Sequence, residues 1–329
     1  MAPQAWALLL LCAVVAWLRA RRRPPPPSSP RPAARRTTIV CPGGGVFFWW
    51  QIAAVKRLLE LYELPESVPL AGASAGALAV VFGQCGVDPA AAHAVAFGLA
   101  DEAGVFRNPL GLLFQWGGLV HRWLDVLLPA DAAARCNGRC RVAVTRVALC
   151  GRPLRGDAIT CFETRASLVA ALMASTHIPF FMDGRMTSRH VRHAADGGIR
   201  AWLGLAPKLD TLVDDPADFG GAIEIDHRRD DAFLAACRKN NWSPLSVRGT
   251  ENFMSFGAAW VEKEAQRGDQ GALEGLAPYR RRCSTPATTT STSQRPDQCV
   301  TPARNAQQQR KGVRRSPRLE ARGATAAAR

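Results

Sequence analysis

The sequence has no internal repeat, no tight cysteine framework and almost no net charge across its middle. The first absence excludes solenoids and propellers, which repeat one structural unit at a fixed period. Ten cysteines are scattered through 329 residues, which excludes a small disulfide-stapled scaffold and leaves free thiols in a reducing compartment as the expectation. Cys136 and Cys140 are spaced like half of a zinc site, and Cys150 and Cys161 follow, yet a second paired unit is missing. No metal constellation is apparent elsewhere, so no metal is expected and activity should survive chelators.

The formal charge of +15 belongs to the two ends of the chain. Between Arg19 and Arg36 there are seven arginines and no acid, and from Leu276 to Arg329 twelve basic residues stand against Asp297 and Glu320. The stretch Thr37 to Gly275 is left with a net charge of −2. It also lacks the interleaved aromatic and basic residues of a nucleic-acid surface, so nucleic acid is not an expected partner. Basic tails suit an anionic membrane surface.

Ala5 to Leu18 is an uncharged apolar run followed directly by Arg19, Arg21, Arg22 and Arg23. It is short for a hydrocarbon core of ~30 Å at ~1.5 Å per helical residue. A secretory signal would place positive charge before the run, and Met1 to Gln4 has none. Arginines after it keep the rest of the chain on the cytosolic side by the positive-inside rule. Residues 1–20 are therefore read as a membrane anchor, with a cleaved signal ending near Val14-Val15-Ala16 as the alternative. An endoplasmic reticulum or lipid-droplet location fits such an anchor. Residues 21–36 form a Pro/Arg-rich linker, extended through Pro24 to Pro32. Residues 276–329 turn to Ser, Thr, Pro, Gln and Arg and are expected to be a disordered basic tail.

Between these ends, 37–275, strand and helix patterns alternate. Thr37 to Cys41 is a β-branched strand closed by Pro42 and three glycines, and Trp49 to Tyr62 places Ile52, Val55, Leu58, Leu59 and Tyr62 at helical spacing. Val68 to Gly72 reads as a buried strand, Ala75 to Phe82 as a small-residue helix, and Arg141 to Leu149 and Ala158 to Phe162 as further strands. Ala166 to Ser175 reads as a helix ended by Ile178-Pro179, and Ala222 to Ile225 as a late strand. The alternation predicts a layered α/β domain with a mostly parallel central sheet. The apolar stretch Phe106 to Leu128 reads either as a pair of core helices or as an exposed lipid-access surface.

Three short motifs can do chemistry. Gly72-Ala73-Ser74-Ala75-Gly76 matches G-x-S-x-G between a predicted strand and a predicted helix, the setting of a nucleophile elbow. So tight a turn brings the positions two either side of the serine into collision unless both are glycine. It leaves the hydroxyl of Ser74 over a helix N-terminus, where amides such as that of Ala75 favour developing negative charge. Gly43-Gly44-Gly45 lets backbone amides converge on a ligand without Cβ interference. A P-loop would need Gly-Lys-Ser/Thr after it, and a dinucleotide fingerprint a glycine at Phe48, so no phosphate-bearing cofactor is expected and an oxyanion hole survives. Asp196-Gly197-Gly198 places a carboxylate beside two glycines that permit close backbone approach, though Asp-Gly is also an ordinary turn.

A serine hydrolase usually recruits a histidine. The six are His93, His121, His177, His190, His193 and His227, and the α/β-hydrolase order would admit only His227, the last. About 37 residues of the core precede Ser74, room for one strand-helix unit and the elbow strand. The standard α/β-hydrolase places several strands there, so a base other than histidine is the better expectation.

These motifs, in this order, resemble the patatin-like phospholipases: a glycine-rich loop after the first strand, an elbow after the second and a distal Asp-Gly-Gly. Ala174-Ser175, Ile178-Pro179-Phe180 and Asp183-Gly184 are also similar to the stretch before Asp-Gly-Gly in the animal triglyceride-lipase branch. The resemblance runs from about Thr37 to about Ile225. It implies a Ser-Asp dyad of Ser74 and Asp196, oxyanion donors in Gly43, Gly44 and Gly45 with Ala75 beside them, and hydrolysis of acyl lipids, phospholipid or acylglycerol. Where the family often continues with Arg or Lys and then Gly, this chain has Phe47-Phe48 and Trp49-Trp50, packing or acyl-contact residues. An unperturbed Asp, with a pKa of about 3.9, is a weak base that burial would have to strengthen. A transacylase using the same acyl-enzyme, or a silent lipid-binding protein on this scaffold, has the same motifs. A membrane or lipid-droplet surface is the expected partner.

Overall fold

The computed structural model describes residues 38–108, 111–147, 154–203, 222–244 and 249–281. The expected anchor, the linker and residues 282–329 of the expected tail lie outside the described residues. Among the described residues no helix is long and apolar enough to cross a membrane.

Among the described residues six strands form one sheet: β1 (Ile39–Cys41), β2 (Leu70–Ala73), β3 (Cys140–Val147), β4 (Leu154–Ile159), β5 (Ala194–Asp196) and β6 (Ile223–Glu224). Their order is β4-β3-β2-β1-β6, with β5 paired to β3 off that path. β1 runs parallel to β2 and β6, and β2 parallel to β3, whereas β4 and β5 are both antiparallel to β3. The sheet is thus mixed rather than mostly parallel. Only six residues separate β3 from β4, too few for the crossover that a parallel neighbour needs.

Helices supply the crossovers elsewhere. α1 (Phe48–Leu61) joins β1 to β2, and α2 (Ala75–Cys85), α3 (Pro89–Glu102), α4 (Trp116–Leu127) and α5 (Ala132–Cys136) lie between β2 and β3. α1 buries Trp50, Ile52, Ala54, Val55 and Leu58 while Glu60 stays exposed, the periodicity its sequence predicts. α3 begins at Asp88, whose carboxylate accepts the Ala91 amide, with Pro89 in the first turn where a missing N–H costs nothing. α6 (Arg165–Ser175) starts with a reciprocal cap between Thr164 and Ser167 and is followed by α7 (Ile199–Trp202) after β5.

Two expectations shift. Phe106 to Leu128 holds one helix, α4, preceded by a 3₁₀ turn at Val105–Arg107, not a helix pair. β4 lies earlier than the predicted Ala158 to Phe162, because Phe162 leaves the strand to pack in the core, its amide held by Asn137 Oδ1 at 2.9 Å. The described cysteines Cys41, Cys85, Cys136, Cys140, Cys161 and Cys237 are free thiols.

Beyond β6, α8 (Asp231–Asn240) and α9 (Thr250–Arg267) were not legible as helices in the sequence. α9 packs on α1 through Gly257, where a Cβ would overlap the carbonyl oxygen of Trp50. Packing continues past Gly275: Leu276 is fully buried and Arg280 bridges to Tyr62. Gly257→Ala should therefore separate α9 from α1 and lower stability by about 2 kcal/mol or more. Urea unfolding of the variant beside the parent checks this, and an unchanged midpoint would refute the close contact.

Candidate active site

Ser74 joins β2 to α2 with φ 54° and ψ −124°, a conformation that costs a non-glycine residue about 1–3 kcal/mol. The turn works because its flanks are bare. A Cβ on Gly72 would overlap the backbone of Gly76, and one on Gly76 would overlap the Cys41 carbonyl oxygen of β1. The collision expected between the two flanks of the serine is therefore real at Gly72, whereas at Gly76 the neighbouring strand excludes a side chain and fits α2 closely against β1.

Register brings the carboxylate to the serine. Along one edge of β3, β2 pairs with the first half and β5 with the second. The two run toward each other, because β2 is parallel and β5 antiparallel to β3. Ala73 is opposite Ala143 and Asp196 opposite Val144, so the two C-terminal ends meet at consecutive residues of β3. Ser74, one residue past β2, is thereby brought beside the Asp196 carboxylate.

Asp196 is 7% exposed. Burial pushes its pKa up to about 6, opposed by the neighbouring Ser74 hydroxyl and by the Gly198 amide, which donates to its Oδ1 at 2.8 Å. A carboxylate with such a pKa can exchange a proton near neutral pH. Gly197 is required for this approach, since a Cβ there would overlap the Ala143 carbonyl oxygen.

The surrounding hydrogen bonds fix both partners to β3. Ser175, at the end of α6, donates to the Ala143 carbonyl at 2.6 Å and accepts the Ser74 amide at 2.9 Å. Thr145 Oγ1 donates to the Asp196 carbonyl at 2.8 Å, and the Asp196 amide donates to the His177 carbonyl at 2.9 Å. Sequence reasoning gave Ser175 and Thr145 no role. The one signal for Ser175 was its place in Ala174-Ser175, part of the stretch similar to the animal triglyceride-lipase branch.

The glycine loop faces the same point. Gly43 lies beside the nucleophile, its Cβ position 3.2 Å from Ser74 Cβ and 3.9 Å from Oγ. Gly44 has the His227 ring against it, with Cε1 3.1 Å from its Cβ position, and Gly45 (φ 58°) abuts the Pro244 carbonyl, which accepts the Val46 amide at 2.9 Å. Among the described residues the amides of Gly43, Gly44 and Gly45 have no protein acceptor. The Ala75 amide opens α2, where helix N–H groups are unsatisfied by the helix itself.

The ring of His227, the rival base, packs against Gly44 and among aromatic side chains. It is buried beside Phe47 (ring centroids 4.9 Å apart), Trp50 and Phe233. Burial lowers its pKa to about 4, opposed by Asp226 and assisted by Arg228, so the ring is neutral at pH 7. Its Nδ1 has no hydrogen-bond partner among the described residues.

An apolar pocket of about 1030 Å³, counted with its open mouth, begins at Ser74, Ala75 and Gly45. Phe48 and Trp49 line it together with Leu78 of α2, Ala96 and Ala100 of α3, and Leu119, Val120 and Trp123 of α4. The aromatic run after the glycines therefore divides. Phe48 and Trp49 face the pocket, whereas Phe47 packs among His227, Phe233 and Phe253, and Trp50 is core, its indole donating to Asp230 at 2.8 Å. Among the described residues no group of three or more His, Cys, Asp or Glu is placed to hold a metal.

Comparison with known proteins gives one finding. The model of the patatin-like phospholipase family matches residues 39–206, which span β1, the glycine loop, the elbow and β5. No curated protein and no solved structure matches significantly. Lipid acyl hydrolysis is the general activity that such a domain suggests. With just over half of its length matched, and with loop, elbow and Asp-Gly-Gly folded around one point, the chain belongs to the patatin-like phospholipase family.

Proposed function

We propose that the protein is a lipid acyl hydrolase that cleaves carboxylic esters through an acyl-enzyme on Ser74, with Asp196 as general base. The observation that carries this reading is that register along β3 brings Ser74 beside a buried Asp196, at the head of an apolar pocket. Asp196 takes the hydroxyl proton as Ser74 Oγ attacks the ester carbonyl. Negative charge collects on the carbonyl oxygen within reach of the Gly43, Gly44, Gly45 and Ala75 amides. The proton then passes to the departing alcohol, and a water activated by Asp196 releases the acid. A lipid alcohol in place of that water would make the protein a transacylase, which product analysis with and without an acceptor lipid distinguishes.

The pocket lining favours a long acyl chain, from phospholipid or acylglycerol. The sequence-derived anchor would hold this domain on the cytosolic side of a membrane or at a lipid droplet.

Ser74→Ala and Asp196→Asn should each lower kcat for a soluble p-nitrophenyl ester by a factor on the order of 10³ or more. Folding separates the two roles of Asp196. Its raised pKa means that the folded state holds a proton more tightly than the unfolded one, so stability falls as pH rises from about 4 through about 6. Asp196→Asn removes that penalty and should be at least as resistant to heat as the parent at pH 8, while inactive. Retained activity in Asp196→Asn with loss in His227→Ala would overturn the dyad.

The same group sets the pH profile. The base must be ionised, so kcat/KM should climb as pH rises through about 6 and level off above 7. A rise centred near 4 would contradict it. Chain length gives an independent measurement. Each buried methylene is worth ~0.8 kcal/mol, so kcat/KM across a series of p-nitrophenyl esters should rise roughly fourfold per added carbon until the chain outgrows the pocket. A flat series would argue against an acyl pocket.

A further inference from the structure

Phe106, Phe114 and Met186 are large apolar side chains left 48%, 36% and 52% exposed. Phe106 lies in the 3₁₀ turn ahead of α4, Phe114 two residues before α4, and Met186 in the loop between α6 and β5. The two segments lie side by side. The Phe114 amide donates to the Phe181 carbonyl at 2.9 Å, and a Cβ on Gly184 would sit 3.8 Å from the Phe114 ring. Further along, His190 stacks on His121 of α4 with centroids 5.7 Å apart. Phe106 and Phe181 line the pocket, so the pocket reaches solvent beside these exposed groups. Phe114 holds φ 64°, a strained conformation for an aromatic residue and one that packing inward does not repay.

Charge accompanies the apolar groups. The same segments carry Arg107, Arg185, Arg189 and Arg192, all exposed, against one carboxylate, Asp183. Among the described residues none of these four guanidiniums is ion-paired with a carboxylate, although ion pairs are frequent elsewhere on the surface, as between Arg122 and Glu102 or Arg165 and Asp125. Apolar tips rimmed by unpaired arginines match a surface with anionic headgroups over hydrocarbon.

We propose that the face formed by Phe106, Phe114, Met186, Arg107, Arg185 and Arg189 docks on an anionic phospholipid surface and presents the pocket mouth to it. The inference rests on the lipid acyl hydrolase reading above and adds the face and the headgroup charge. The apolar tips enter the acyl boundary while the guanidiniums pair with phosphate and carboxylate groups.

The test reads the face directly, because basic ends of a chain would draw anionic vesicles as well. Full-length Ser74→Ala protein is mixed with vesicles of phosphatidylcholine, alone or with phosphatidylserine, and amide exchange is followed by mass spectrometry. Segments 105–116 and 180–193 should gain protection with the anionic vesicles and not with phosphatidylcholine alone. In an otherwise active chain, Arg185→Glu/Met186→Ser/Arg189→Glu should slow hydrolysis of a long-chain ester in anionic vesicles at least tenfold, since each basic residue near such a surface is worth about 1 kcal/mol, a factor of about five. Its hydrolysis of a soluble butyrate ester should match the parent's, which also reports that it folds. Protection confined to residues 1–36 and 282–329, or an unchanged vesicle rate, would overturn the docking face. If the parent failed to cleave the butyrate ester, the hydrolase reading would fall, while the exchange measurement would still decide the docking.

Discussion

The site depends on one strand edge. β3 is long enough to pair with β2 along its first residues and with β5 along its later ones, on the same side. Two strands arriving head-on along one edge must stop where they meet, and they stop at Ala143 and Val144. Ser74 and Asp196 are thus set by backbone hydrogen bonds rather than by flexible loops, to within the spacing of adjacent residues. The mixed character of the sheet follows from the same arrangement: β5 has to be antiparallel to β3 for its carboxylate-bearing end to point back at the serine. A fully parallel β5 would carry Asp196 away from Ser74.

That geometry stores two unfavourable features together. Ser74 holds a strained backbone, and Asp196 is buried where ionisation is disfavoured. Each is tolerated because its surroundings are over-determined. Ser175 bonds both the Ser74 amide and the Ala143 carbonyl, and Thr145 and His177 fix the Asp196 backbone. A carboxylate free to turn to solvent would recover its usual acidity and cease to be a useful base. Rigidity and pKa are therefore one property of this site, not two.

How much of this was legible in the sequence depended on the range of the interaction. Local signals were read well: the glycines around Ser74, the period of α1, and the apolar β-branched strand at Ile39. They are written in residues a few positions apart. The mixed sheet was not legible, because nothing in Ala194-Ala195-Asp196 states which strand it pairs with or in which direction. The aromatics Phe47 to Trp50 were ambiguous for the same reason. Their division into pocket wall and core depends on Phe233, Phe253 and Asp230, nearly two hundred residues away. Asp196 itself could be named from its glycines, but its basicity is a matter of burial and belongs to the folded chain.

Residues beyond the family match hold the glycine loop in place. The matched segment ends at residue 206, yet the groups pressed on the loop from behind lie further on: His227 against Gly44, and Pro244 against Gly45 while accepting the Val46 amide. α9 then braces α1, whose first turn continues directly from the loop. A neutral imidazole among aromatics suits this position, since it fills the space behind Gly44 without placing a positive charge there. His227 thus serves by shape where a triad would use its nitrogen. The loop needs glycine at 45, where φ is positive and the Pro244 carbonyl leaves no room for a side chain, so that the C-terminal part of the domain can hold it still.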